Sequence, residues 1–197
     1  MRTRSKLLLA SLGATFLMAL AIGTASARNF SIWNSNFRGT FNNLEFDAGI
    51  FGVTTCRVTL EGSLHSMTIP KTVGTLLGYV TRVITGQCNN EVVILTATLP
   101  WHVRYMGFSG RLPDITLILV SVRAAFSVLG CLASADIEAR FSRDPTTGHI
   151  VLASVPPQRL SVSGGFCPEQ VTFRSNASHN GSVYLLGTTN RISVTLI

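Results

Sequence analysis

The sequence predicts an all-β fold over residues 28–197: a single-domain antiparallel β-sandwich or barrel of about 9–11 strands with two disulfides. Three observations carry this expectation. Side chains alternate apolar and polar with a period of two through much of the chain. Turn residues recur at close spacing, in NSN, TGQCNN, VPP and SNASHNGS. No stretch combines helical periodicity, a cap and adequate length.

Residues 1–27 precede the domain and read as a secretory signal. Arg2, Arg4 and Lys6 make a basic start, LLLASLGATFLMALAIG is uncharged, and Ala25-Ser26-Ala27 has the small-x-small form that signal peptidase accepts. Cleavage after Ala27 leaves residues 28–197, enough chain for a core, and no second apolar run long enough for a helical membrane span. It also removes three of the 16 Lys and Arg residues and none of the nine acids, so the formal charge drops from +7 to +4. The remaining cations are nearly all arginines, scattered rather than gathered on one face, and no nucleic-acid partner is expected.

Strands are expected at 30–34 and 38–47. In CRVTLEGSLH, residues 56–65, Cys56, Val58, Leu60, Gly62 and Leu64 share one face, while Arg57, Thr59, Glu61, Ser63 and His65 share the other. A single buried face that includes Cys56 argues against a membrane-spanning barrel, whose outward side is the apolar one. A strand at 73–85 follows. From Val93 to Tyr105 the odd positions are apolar throughout, which predicts one continuous strand of thirteen residues with Trp101 and Tyr105 inward and His102 and Arg104 outward. Pro100 lacks an N–H and predicts an edge or a bend, and the apolar phase slips beyond Tyr105, so a bulge is expected near 106–110.

ITLILVSVRAAFSV, within 114–128, is apolar on both faces through Val120 and predicts a central strand. LASADIEARF, residues 132–141, alternates again, and RDPTTG at 143–148 turns it into 149–155 as a hairpin. The remaining strands are expected at 158–166, 169–175, 183–188 and, abutting it, 189–197.

Four cysteines in an exported chain read as two disulfides. The preferred pairing among the three possible ones is Cys56–Cys88 with Cys131–Cys167. Each closes a loop of about 30–40 residues, worth roughly 3–4 kcal/mol in the chain-entropy model. With no Cys-x-x-Cys and no histidine close to a cysteine, no metal is expected. No cofactor is expected either, since phosphate-loop, haem and dinucleotide patterns are missing from the sequence.

Catalytic patterns fail on spacing. Gly107-Phe108-Ser109-Gly110 does not make a nucleophile turn, and His65, His102, His149 and His179 lie far apart in the chain. Glu45-x-Asp47 and Asp136-x-Glu138 each place two acids on one strand face, read as solvated faces. Asn29-Phe-Ser, Asn176-Ala-Ser and Asn180-Gly-Ser fit the glycosylation sequon. The polar pair singled out is His102 with Arg104: at i and i+2 of a strand they stand side by side, and together they suit a carboxylate or phosphate ligand.

The signal MRTRSKLLLASLGATFLMALAIGTASARN, the segments VTLEGSLHSMTI and TLPWHVRYMGFSGRLPDIT, and the closing LGTTNRISVTLI are similar to those of a group of uncharacterised secreted bacterial proteins. The resemblance covers nearly the whole chain and implies export, with no assigned chemistry. The expectation that follows is a secreted, non-enzymatic β-domain with a structural or adhesive role at or outside the cell surface, its partner an envelope or extracellular component. The alternative is a β-barrel carrier of a small apolar ligand, and after it a secreted hydrolase.

Overall fold

The computed structural model describes residues 29–33, 35–111, 115–175 and 181–197. The signal segment, His179 and the sequons at Asn176 and Asn180 lie outside the described residues. The strands are β1 (Asn29–Ile32), β2 (Asn36–Asp47), β3 (Val53–Leu64), β4 (Thr68–Pro70), β5 (Leu76–Gly86), β6 (Val92–Ile94), β7 (Trp101–Gly110), β8 (Ile115–Val128), β9 (Cys131–Arg143), β10 (Ile150–Ser154), β11 (Gln158–Ser163), β12 (Gln170–Ser175), β13 (Ser182–Leu185) and β14 (Val194–Leu196).

The strand pairings close on themselves. Antiparallel neighbours run β2–β3–β5–β7–β8–β9. The free edge of β9 carries β10 along one half and β11 along the other. The edge of β2 that faces away from β3 carries β12 and β13 in the same divided way. β11 pairs with β12, and Ala153 in β10 bridges Gly181 just before β13, which completes the ring. The all-β expectation therefore resolves into a barrel of eight staves, full closure being one way to leave a sheet without exposed edges. Three staves are broken in the middle, β6/β7, β10/β11 and β12/β13, so the wall holds eleven strands, and the separate sheet of β1, β4 and β14 takes the total among the described residues above the 9–11 expected.

The barrel wall follows the predicted alternation. Cys56, Val58, Val103, Tyr105, Val120, Ile137 and Ala139 are buried inside, while Arg57, His102, Arg104, Arg123 and Arg140 are exposed outside. An apolar interior with a charged exterior is the reverse of a membrane-spanning barrel. Among the described residues, no helix is long and apolar enough to cross a membrane. Glu61 points outward yet is only 6% exposed, because Arg38 and Arg82 stand directly opposite it on β2 and β5. Both pair with its carboxylate, at 2.7 and 3.3 Å, and their stems cover it.

The continuous strand expected over 93–105 is not formed. β6 ends at Ile94, a 3₁₀ turn occupies Thr96–Thr98, and the Leu99–Pro100 peptide is cis before β7 begins at Trp101. Local hydrogen bonds hold this break: the Thr98 hydroxyl donates to the Leu95 carbonyl at 2.6 Å and accepts from the Trp101 indole at 2.8 Å. The bend at Pro100 and the slip beyond Tyr105 were legible, the latter as a register shift between Tyr105 and Gly107. Past β7, β8 is central, paired with β7 and β6 on one edge and β9 on the other.

The two barrel ends are finished differently. One carries both disulfides, Cys56–Cys88 and Cys131–Cys167, paired as expected. Just inside it Phe46, Phe126 and Phe173 pack with centroids 4.7–5.9 Å apart. The other end is covered by a three-stranded sheet, β14–β1–β4, whose Phe30, Ile32, Ile69 and Val194 are buried against the barrel.

Candidate functional site

His102 and Arg104 stand on the outer face of β7, both exposed as the alternation requires. Their side chains turn to different neighbours. His102 lies 5.3 Å, centroid to centroid, from Tyr79 on β5, and the other flank of Tyr79 meets His65 at 4.8 Å, edge to face. Arg104 donates to the Gly74 carbonyl at 3.1 Å and so is fastened to the turn between β4 and β5. Two histidines far apart in sequence thus converge on one tyrosine, on a convex wall rather than in a cleft. Of the four acids singled out on strand faces, three are matched by arginines, Glu45 by Arg174, Asp136 by Arg123 and Glu138 by Arg140, while the Asp47 carboxylate accepts the Gly49 N–H. Glu45 is buried rather than solvated as expected, lying beneath its arginine. Among the described residues no three His, Cys, Asp or Glu side chains gather as metal ligands.

The stapled end presents a second candidate. Between β2 and β3 the chain makes a tight turn: the Gly49 N–H donates to the Asp47 carboxylate at 2.9 Å and the Gly52 N–H to the Gly49 carbonyl at 3.0 Å. Gly49 and Gly52 both have positive φ, 62° and 100°, which permits this path. Its tip holds Ile50 outward, 98% exposed, with Phe51 half exposed beside it. Between β11 and β12, Phe166 is 95% exposed and immediately precedes Cys167, whose disulfide anchors that loop to Cys131. Leu129 and Leu132, at the β8–β9 turn, are also exposed at this end. The apolar tips are thus displayed on loops held by hydrogen bonds and a covalent bond.

The third candidate is internal. Beneath the lid lies an apolar cavity of about 120 Å³, bounded by Phe30, Gly39, Ile69, Leu77, Tyr105 and Val120 among others. Toward the stapled end a second space of about 60 Å³ is bounded by Phe46, Trp101, Phe126 and Phe173. Phe41, Leu60, Val122 and Ala139 border both. Burial pushes the Tyr105 phenol above its ordinary pKa, keeping this wall residue neutral.

The chain matches no family model, no curated protein and no solved structure.

Sequence reasoning singled out residues of the outer wall, raised an interior site only through the carrier alternative and without naming its residues, and passed over the rim. The rim had a signal: Gly49-Ile50-Phe51-Gly52 and Gly164-Gly165-Phe166-Cys167 place large apolar residues among glycines, outside any alternating strand. The cavity had none, because alternation says which side chains point inward and not whether they fill the space between them.

Proposed function

We propose that this protein is an exported, non-enzymatic β-barrel that acts through its exterior, in a structural or adhesive role at or outside the cell surface. The observation that carries the reading is the near-complete exposure of Ile50 and Phe166 on loops of the stapled end, one held by the Gly49–Asp47 hydrogen bond and the other by the Cys131–Cys167 disulfide. Burying an apolar side chain of this size against a partner gains about 1.5–3 kcal/mol. Loops already held in place lose little entropy when they bind. The partner that fits is an apolar or amphipathic component of the cell envelope or its surroundings. Disulfides and a charged outer wall suit such a setting. The interior supports a carrier of large ligands less well, since pockets for drug-sized molecules run about 300–1,000 Å³.

The test is co-sedimentation with isolated cell envelopes, comparing the wild type with an Ile50→Ser/Phe166→Ser double variant. Retention should fall at least about tenfold, the equivalent of 1.4 kcal/mol or more, with the melting temperature unchanged because neither side chain is packed. Equal retention of the two proteins sinks the reading.

A further inference from the structure

We infer that the cavity beneath the lid is a binding site for a small uncharged apolar molecule of about benzene size, and that Gly39 is the residue that makes room for it. Gly39 lies within β2, paired with Leu60 on one side and Val183 on the other, and faces inward with Phe37 and Phe41. Glycine inside a strand weakens it, so a reason is wanted for its presence. Other buried glycines of the wall have one. A Cβ on Gly62 would collide with the Tyr79 carbonyl, one on Gly78 with the Ser63 carbonyl, and one on Gly181 would come within 2.8 Å of Phe41 and of the Thr40 carbonyl. At Gly39 neither reason holds. Its φ is not positive, and an added Cβ would meet nothing closer than Val183 at 3.9 Å and Phe41 at 4.0 Å. Backbone geometry and neighbours both tolerate a side chain here, and the space where it would stand is the cavity.

The chemistry of the wall sets the ligand class. The boundary is aliphatic and aromatic carbon, so a bound water would find no partners and a charged or hydrogen-bonding group would be left unsatisfied. An apolar cavity of about 150 Å³ with comparable lining stays dry and admits benzene, and about 120 Å³ is close to that size. A long-chain lipid does not fit a space of about 120 Å³, which shares Phe41, Leu60, Val122 and Ala139 as borders with the smaller space beyond. The site is separate from the rim, which lies at the opposite end of the barrel.

Benzene is the probe, added to the purified protein while methyl resonances and the melting temperature are followed. Saturation should raise the melting temperature by about 2–4 °C, as a gain near 1 kcal/mol does at this chain length. It should shift the methyls of Ile69, Leu77 and Val120 while leaving those of Ile50 and Leu132 in place. Gly39→Leu, with circular dichroism matching the wild type, should abolish the response and leave envelope retention unchanged. Gly39→Ala adds only the Cβ that the site accommodates; it should weaken benzene binding several-fold and serves as the decisive variant if Gly39→Leu does not fold. No response to benzene in the wild type, or an undiminished one in the folded Gly39 variants, overturns the site. A larger thermal shift with dodecanoate than with benzene overturns the stated ligand size.

Discussion

At the stapled end two disulfides tie loops to strands, and three phenylalanine rings pack beneath them around a space of about 60 Å³. At the lidded end a small sheet is held by backbone hydrogen bonds and by Phe30, Ile32, Ile69 and Val194, and the larger space of about 120 Å³ lies under it. The contrast separates two ways of closing a barrel. Cross-links act largely by restricting the unfolded chain, and they fix loop positions whatever those loops display. The lid has no covalent tie and is held by its hydrogen bonds and by what it buries, so its opening is governed by those contacts alone.

The most severe test of this contrast is to replace both cysteine pairs by alanine. With sequence separations of 32 and 36, loss of each disulfide should cost roughly 3–4 kcal/mol, read from urea midpoints. Hydrogen exchange should then quicken first at the loops bearing Ile50 and Phe166, while amides of β1, β4 and β14 keep their protection relative to global unfolding. Equal quickening at both ends would erase the distinction. Phe30→Ala should cost about 3 kcal/mol, because Phe30 is buried against Tyr105 and Phe108, with centroids 5.9 and 6.2 Å away. Here the order reverses, with lid amides exchanging first and the stapled loops unaffected.

The smallest expected effect is with acid. The Thr147 and Thr146 backbone N–H groups donate to the Asp144 carboxylate and hold its pKa below the usual 3.8. A carboxyl lowered in the folded state favours folding above its unfolded pKa, and the contribution is lost as pH falls from 3.8 through the lowered value. Asp144 shapes the β9–β10 turn, and Gly148 in that turn accepts the Val194 N–H at 2.8 Å. Exchange at Thr146, Thr147 and Val194 should therefore rise below pH 3.8 with the stapled end unchanged, and an Asp144→Asn variant should show no such step.

How much of this could be read beforehand depended on length. Long strands with one wet face, such as β3 and β9, declare themselves by parity alone, and so does the inward turn of Trp101, Val103 and Tyr105. Parity misled over 93–99, where Val93 is exposed and Leu95 and Leu99 flank a turn, because a short helical turn can carry apolar residues at odd positions too. β4, with three residues, is too short to show any period. Barrel closure was hidden because two of its seams depend on pairs of half-strands sharing a stave. The meeting of His65, Tyr79 and His102 was hidden for a related reason: it depends on the register of three strands. The pairing of the cysteines, Cys56–Cys88 and Cys131–Cys167, agrees with the one preferred from the sequence, in which each cysteine joins its next neighbour along the chain.

β1 and β14 lie side by side although residues 29–32 and 194–196 stand far apart along the polypeptide. Contacts between such distant segments form slowly, since a long intervening loop must be closed before they are rewarded. The roof over the hollow is consequently completed late in folding, once β14 has found β1. Until then the hollow lacks part of its cover, so the pairing of β1 with β14 is the step that seals it.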